Sequence, residues 1–421
     1  MALHWQIMIA IGAAFVFGSL FGPEVDGFSL LGIYEFVGGM FLDALKMLIV
    51  PLIMSSIISG AANLGQGKGV VAIARRTVTY FLASTALAIV TALVVVNVIQ
   101  PGVSGQHPLS EVIHLPSLGG DISAKFASHQ FGDFVQVVRD MVPANIVDAA
   151  AHTQMLGLIV FSLLFGFALT RIPEPGRQVV HDFWIGVQEV MIQITHWLMK
   201  LAPIGVFALV AAVVAKSGLA LLLPMLGFFL TVALGLMIHA FVTLPLILWL
   251  TTRLNPYHFV LAVWPAMLMA FSTSSSAGTL PVTMDVVENR AGVSKEIASF
   301  VLPLGATINM NGTALYECAA VLFIAQAYGV DLSIWTQLMI VVLALMTSIG
   351  VAAVPSASLV AIALILGVLG LPLEAMGLLL VVDRVLDMLR TSVNVYSDAV
   401  GAVIVAHRRG DRGLLTGGIA P

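Results

Sequence analysis

The fold class this sequence predicts is an all-α polytopic membrane protein, and three observations carry it. Of 421 residues, 59% are hydrophobic and only 10% are charged, with a mean hydropathy of +1.04, far from the balance of a soluble domain. Apolar runs recur at 5–22, 30–62, 71–99, 140–170, 181–214, 219–251, 295–325 and 372–407, and about 20 such residues suffice to cross a bilayer as a helix. Two further apolar segments, near 257–285 and 334–371, are broken midway by polar residues. The formal net charge of -4 gives no footing to a nucleic-acid partner. Cys318 is alone, so no intrachain disulfide is expected. No basic n-region with a cleavage site precedes the first apolar run, so Ile9 to Leu20 is expected to start a retained helix.

Several runs exceed the length a perpendicular helix needs, which predicts tilts or breaks. The first three runs are read as helices separated by short loops. Lys68, Arg75 and Arg76 lie between the second and third, Arg171 and Arg177 after the fourth, Arg253, Arg290 and Lys295 around the first broken segment, and Arg408, Arg409 and Arg412 in the tail. Alternate loops carry Glu24 and Asp26, Glu111 and Asp121, and Asp331, with Lys125 and Lys216 as minority cations. The excess of basic residues in cytoplasmic loops then puts both termini in the cytoplasm and makes the number of spans even. Gly102 to Asp133, rich in Gly, Ser, His and Pro, reads as one long external loop.

The first broken segment is interrupted by Phe271-Ser-Thr-Ser-Ser-Ser-Ala-Gly-Thr-Leu-Pro281, the second by Ser348-Ile-Gly-Val-Ala-Ala-Val-Pro-Ser-Ala-Ser358. Each half is too short to span comfortably, which predicts two re-entrant helical hairpins. Non-helical backbone at membrane depth is tolerated only where protein or a water-filled cavity covers it, so the two tips are expected to enclose something. Each hairpin is followed by a polar-lined helix, the pattern of an inverted-repeat transporter with its site near the midplane. Between them, Gly305-Ala-Thr-Ile-Asn-Met-Asn-Gly-Thr-Ala-Leu-Tyr-Glu317 puts helix-weakening Gly312 and backbone-competing Asn309 and Asn311 into an apolar run, so local unwinding is expected there. Freed carbonyl oxygens suit a small hard cation, with Asp398 as the carboxylate that holds it.

The last run carries Asp383, Asp387, Arg390, Thr391, Asn394 and Asp398. At about 100° per residue these fall within an arc of roughly 100°, so one helix aims them all the same way. Each ionised group in a spanning segment costs on the order of 2.5–3.5 kcal/mol on insertion scales, so the stripe requires partners, water or a charged cargo.

Four ordered strings, "SSSAGTLPVTM", "LPLGATINMNGTALYE", "SIGVAAVP" and "VDRVLDMLRTSVNVYSDAVGA", resemble the glutamate transporter family, the dicarboxylate/amino acid:cation symporters, and in particular its bacterial glutamate/aspartate members. Weaker matches, "MLIVPLI" near Leu48, "YFLASTALA" from Tyr80 and "FGFAL" at Phe165, extend the likeness over nearly the whole chain. The resemblance implies eight transmembrane helices plus two hairpins in a homotrimer of the bacterial inner membrane. It implies scaffold helices 1–2 over 1–70, transport-domain helix 3 over 71–100, scaffold helices 4–5 with transport-domain helix 6 over 101–252, and a transport core over 253–421 that moves as an elevator.

Carried over residue by residue, the resemblance gives Arg390 the grip on a substrate side-chain carboxylate, with Thr313 beside it. Asp387 would meet the α-amino group, and Thr391 and Asn394 the amino-acid head. Ser275 and Ser276 at the first tip, and Val354 to Ser358 at the second, would receive the α-carboxylate. One cation is implied at Asp398 with the carbonyls of Gly305, Asn309 and Asn394, and a second at the carbonyls of Thr307, Ser348, Ile349 and Val351. A third would use Ser84, Thr85, Asn309 and Asn311, but relatives carry Asp where Asn311 stands, which weakens or removes that site. Ala353, Ser356 and Ser358 replace glycines common in the second hairpin, and Ser274 stands where some relatives have arginine. Glu317 matches a proton-carrying position. No cofactor other than the coupling ions Na⁺ and H⁺ is implied.

The function expected is therefore uptake of aspartate or glutamate coupled to Na⁺ and H⁺, not enzymatic chemistry. An H⁺-coupled glutamate carrier or a C4-dicarboxylate carrier is the alternative, although Asp387 would repel a cargo lacking an ammonium group. A serine hydrolase would need a base near Ser276, and neither tip contains His or Lys. A channel would need a ring of repeated ligands. The structural alternative for the stripe is an ion-pair network between helices, with Asp383 in a supporting role and Arg384 paired with Asp383 or with another helix.

Overall fold

The computed structural model describes residues 3–20, 30–63, 70–105, 107–112, 139, 142–152, 155–217, 222–350, 358–411 and 413–415. The chain is mostly helical. Three helices run first, α1 (Leu3–Leu20), α2 (Leu30–Asn63) and α3 (Val70–Ile99). The expected external loop begins instead with a two-stranded antiparallel ribbon, β1 (Val103–Ser104) and β2 (His107–Pro108), then the short α4 (Leu109–Val112). Gly105, at φ +68, supplies the left-handed residue this tight reversal needs. This corrects the all-α expectation by one small element, and residues 113–138 lie outside the description.

The run expected at 140–170 is two helices, α5 (Ile146–Ala151) and α6 (Met155–Leu169). Asn145 caps α5 by accepting from the backbone N–H groups of Val147 and Asp148. The 42-residue α7 (Gly176–Ser217) follows, and α1 and α2 pack along it while α6 packs on α2. Small residues set those approaches. A methyl group on Gly205 would fall 2.2 Å from Phe41 Cγ, and one on Gly166 would fall 2.7 Å from the Ile58 carbonyl oxygen.

The next run is α8 (Leu222–Ile238), a π-helical turn (His239–Thr243) and α9 (Leu244–Thr252). The first broken segment is a helical pair, α10 (Pro256–Thr273) and α11 (Ser276–Asn289). Asn255 caps α10, Pro256 opens it, and Ser274 ends it in the left-handed region at φ 51. The polar tip is thus two residues long, Ser274 and Ser275. The 295–325 run is α12 (Lys295–Ile308) and α13 (Asn311–Ala327), broken at Asn309 and Met310. The second broken segment is α14 (Ile334–Gly350) and α15 (Ser358–Leu369), its tip at 351–357 lying outside the described residues. A final 34-residue helix, α16 (Met376–Arg409), ends with His407, Arg408 and Arg409 in its last turn and left-handed Gly410 after it.

Among the described residues, Ile73–Ile99, Leu223–Thr252 and Lys295–Ala327 are long and apolar enough to cross a membrane. α13 is buried at every position but Gln326, which makes it central rather than peripheral. α3, α8, α14 and α16 surround it, and α10, α11 and α12 close over α16. The tail returns to this group. Asp411 Oδ2 accepts from Ser294 N at 3.1 Å, Leu415 N donates to Ala291 O at 3.0 Å, Arg409 pairs with Glu296 at 2.9 Å, and Arg76 donates to the Arg408 carbonyl at 2.9 Å.

Candidate functional site

The stripe of α16 faces the break between α12 and α13. Arg390 is 1% exposed, and its two terminal nitrogens reach different carboxylates: Nη1 to Asp383 Oδ1 at 3.1 Å and Nη2 to Asp387 Oδ1 at 2.8 Å. Arg384 Nη1 holds the other oxygen of Asp387 at 3.2 Å. The guanidinium lies over the Tyr316 ring, 4.0 Å from its centroid, a geometry that stabilises a desolvated cation. Two arginines and two aspartates form a buried quartet of zero formal charge. One expectation is corrected here. Arg384 pairs with Asp387 rather than Asp383, because i,i+3 brings these two together on one helix face. Asp383 takes the supporting position expected of it, bonded to the Arg390 guanidinium, since seven residues is two helical turns and the long side chain spans them.

One turn further on, Asn394 bridges to the break. Its Oδ1 accepts from Gly312 N at 2.7 Å, and its Nδ2 donates to Thr313 Oγ1 at 3.1 Å. Gly312 is obligatory there, because a Cβ would fall 2.6 Å from the Arg390 carbonyl oxygen and 3.0 Å from Arg390 Cα. Thr391 donates its hydroxyl to Asp387 O at 2.8 Å. Arg390, Asp387, Thr391, Asn394 and Thr313 therefore come together. Ser276 is buried at the first tip, while Ser275 serves as the cap of α11, its Oγ accepting from Gly278 N at 3.0 Å. Ser358 opens α15 and is buried, and its hydroxyl has no partner among the described residues. Val354 lies outside the described residues.

Asp398 occupies the next level, about 12 Å along the helix from Arg390 at 1.5 Å per residue. Its Oδ1 accepts from Asn309 Nδ2 at 2.9 Å. Gly305 lets the carboxylate come close, since a Cβ at that position would fall 2.5 Å from Asp398 Oδ1. The Gly305 carbonyl accepts from Asn309 N at 2.9 Å, and the Asn394 side-chain amide reaches the break at Gly312. Asp398, Gly305 and Asn309 are therefore adjacent, with the break beside them as the oxygen-rich surface a hard cation would use. Of the second expected cation group, a set of backbone carbonyls, Thr307 lies in the last turn of α12 and Ser348 in the last turn of α14, their hydroxyls turned to Leu304 O and Leu345 O of their own helices. Ile349 lies in α14, with its side chain undescribed, and Val351 lies outside the described residues.

The third expected group is assembled and tightly bonded. Thr85 Oγ1 donates to Asn311 Oδ1 at 2.7 Å, and Ser84 Oγ lies 3.3 Å from Asn309 Oδ1 and 3.5 Å from Asn311 Oδ1. Glu317 is fully buried and accepts from Thr347 Oγ1 at 2.7 Å, with its Oε1 unpartnered among the described residues.

Four participants escaped sequence reasoning. Ser397 Oγ accepts from both Asn309 Nδ2 (2.9 Å) and Asn311 Nδ2 (2.8 Å), and Tyr80 Oη donates to the Ser397 carbonyl at 3.0 Å. Ser397 stands seven residues beyond Arg390, so the helical period that found the stripe also reaches it. Tyr316 and Tyr80 look like ordinary aromatics of apolar runs. His239 sits 3.2 Å from Asn311 Nδ2, and only its isolation in a long apolar stretch marked it.

A model of the sodium:dicarboxylate symporter family matches residues 3–408. The chain is 33% identical to a proton/glutamate-aspartate symporter of Escherichia coli (strain K12) over 407 residues, covering 96% of this chain and 92% of the relative. It is 36% identical to a proton/glutamate-aspartate symporter of Bacillus subtilis (strain 168), covering 96% and 94%. Excitatory amino acid transporter 3 of Mus musculus is 35% identical, with 96% and 85% covered.

Proposed function

The chain belongs to the sodium:dicarboxylate symporter family, and from that premise we propose that it takes up aspartate or glutamate by secondary active symport driven by Na⁺ and H⁺. The observation that carries this reading is the buried quartet around Arg390. A bidentate guanidinium recognises a carboxylate in a plane, as a lysine cannot. When a cargo carboxylate takes over one of the Arg390 nitrogens, an Asp387 oxygen is released to meet the cargo ammonium, so the zwitterion inserts by exchanging partners. Thr313, Thr391 and Asn394 line the adjoining wall. Ser275, Ser276 and the second tip from Val354 to Ser358 close it.

Charge balance supplies the coupling. The quartet is neutral, while an acidic amino acid adds one net negative charge and an ionised Asp398 adds another. Burying uncompensated charge costs several kcal/mol per ion, so two positive charges must enter with the cargo. Na⁺ beside Asp398, Gly305, Asn309 and Asn394 supplies one. A second Na⁺ at the carbonyls of Thr307, Ser348, Ile349 and Val351 supplies the other, and a proton taken up by Glu317 cancels that carboxylate's own charge. Eight transmembrane helices and two hairpins, a homotrimer in the inner membrane with both termini cytoplasmic, and an elevator motion of residues 253–421 with helices 3 and 6 against the remaining scaffold complete the reading.

Uptake of labelled aspartate, glutamate, succinate and serine into proteoliposomes, with Na⁺ and H⁺ gradients imposed separately, tests it. Concentrative uptake of aspartate or glutamate under an inward Na⁺ or H⁺ gradient is expected. Uptake of succinate with neither acidic amino acid, or no dependence on either gradient, overturns it.

A further inference from the structure

His239 opens the π-helical turn between α8 and α9 and is fully buried. Such turns insert one residue, re-aim the side chains around them and recur at functional positions. This one packs against α3 and α16 and sets His239 Nε2 3.2 Å from Asn311 Nδ2. The Asn311 amide is thereby held on all sides. Its oxygen takes Thr85 at 2.7 Å and Ser84 at 3.5 Å, and its nitrogen reaches Ser397 at 2.8 Å and His239 at 3.2 Å. An amide has two N–H donors and two acceptor lone pairs, so none is left over.

The oxygens gathered here are Ser84 Oγ, Thr85 Oγ1, Asn309 Oδ1 and Asn311 Oδ1, a donor set suited to a hard monovalent cation. They lack a carboxylate of their own. Asp398, the carboxylate that reaches the cluster through Asn309, is bonded to the far side of that amide. The two asparagine amides meet the cluster through their oxygens and spend their N–H groups on Ser397, Asp398 and His239, so neither adds formal negative charge to it.

We propose that His239 determines ion coupling in this protein: by holding the Asn311 amide it keeps the oxygen cluster of Ser84, Thr85 and Asn309 filled by neutral protein groups, and the cluster takes no cation. This deepens the symport reading and rests on it. A carboxylate at 311 alone does not open the position, because the imidazole can shift its proton from Nδ1, which has no partner among the described residues, to Nε2 and donate to the new oxygen. Removing the imidazole as well leaves a carboxylate ringed by hydroxyl and amide oxygens.

The test is the slope of log Kd for aspartate or glutamate against log Na⁺ concentration, which counts the sodium ions linked to binding. It is measured on purified full-length protein for the unsubstituted chain, Asn311→Asp, and Asn311→Asp combined with His239→Ala or, if that pair does not fold, with His239→Asn. The expected result is a slope changed by less than about one half in the single variant and raised by about one in the pair, each ion bound adding one to the linkage. A single variant that already gains a full ion, or a folded, substrate-binding pair that gains none, overturns the role of His239. Failure of the unsubstituted protein to bind either amino acid at any Na⁺ concentration overturns the symport reading itself, and is seen before any variant is compared.

Discussion

Gly305→Ala adds one carbon atom at the point where α12 passes the candidate cation carboxylate. That carbon would lie 2.5 Å from Asp398 Oδ1, 2.7 Å from Cγ and 3.2 Å from Cβ, so ordinary contact requires the carboxylate to retreat by roughly 1 Å. The retreat breaks the 2.9 Å bond from Asn309 Nδ2, and a hydrogen bond to a charged group is worth about 1.5–3 kcal/mol. The helix itself favours alanine over glycine by about 1 kcal/mol, so folding is spared much of the cost while the carboxylate geometry is not. The Na⁺ concentration giving half-maximal aspartate or glutamate binding should rise about 10- to 100-fold, at 1.4 kcal/mol per tenfold. Titrating binding with Na⁺ in detergent, beside thermal unfolding with and without Na⁺, measures both effects. Gly367→Ala is the control, since a Cβ there meets nothing within 4 Å. A folded Gly305→Ala protein whose half-saturating Na⁺ stays within about twofold of the parent, less than a 0.5 kcal/mol effect, would refute the assignment of Asp398 as cation ligand.

Arg390→Lys keeps the charge but gives one ammonium in place of a fork that spans Asp383 and Asp387, so acidic amino-acid affinity should fall at least about 100-fold, the loss of one buried charged contact; competition binding with aspartate and glutamate checks this, and unchanged affinity would sink the assigned grip. Arg390→Ala takes the guanidinium from Asp383 and leaves Asp387 with Arg384 alone, and should destabilise the protein by about 3–5 kcal/mol, seen as a drop in unfolding temperature, while any neutral amino-acid binding survives. Glu317→Gln preserves an oxygen for the Thr347 hydroxyl, now 2.7 Å away, but removes a titratable site; the pH profile of uptake should flatten, and an unaltered profile would retire Glu317 as the proton carrier. Gly312→Ala forces a methyl against the Arg390 backbone and should cost about 1–3 kcal/mol by overpacking, with weakened substrate binding measured on the same samples.

The candidate site was largely legible because its residues obey one period. Asp383, Asp387, Arg390, Thr391, Asn394 and Asp398 recur at helical spacing in an otherwise apolar run, and burial of that face follows from the rule that charge in such a run must be covered. The breaks were legible too, since Ser274 and Ser275 at the first tip and Asn309 to Gly312 between α12 and α13 are poor helix formers that compete with or weaken helical hydrogen bonding. What escaped depends on contact between helices. The choice of Asp387 over Asp383 by Arg384 turns on side-chain reach, and the ribbon at 103–108 is set by a single glycine turn. His239 carries no periodic signal, because one imidazole in an apolar stretch reads the same whether it packs or bonds. The second tip, where Val351 and Val354 were expected to act, falls outside the described residues.

The tail bonds described at the end of α16 bear on where an observer should attach a reporter. Asp411 and Leu415 are stitched to Ser294 and Ala291, at the turn leading from α11 into α12, and Arg409 is pinned to Glu296. A fluorophore or spin probe placed beside Leu415 is consequently tied to the junction of α11 and α12 and to the end of α16. Paired with a second probe on α7, it turns the proposed elevator motion into a distance whose change, or constancy, can be followed in real time.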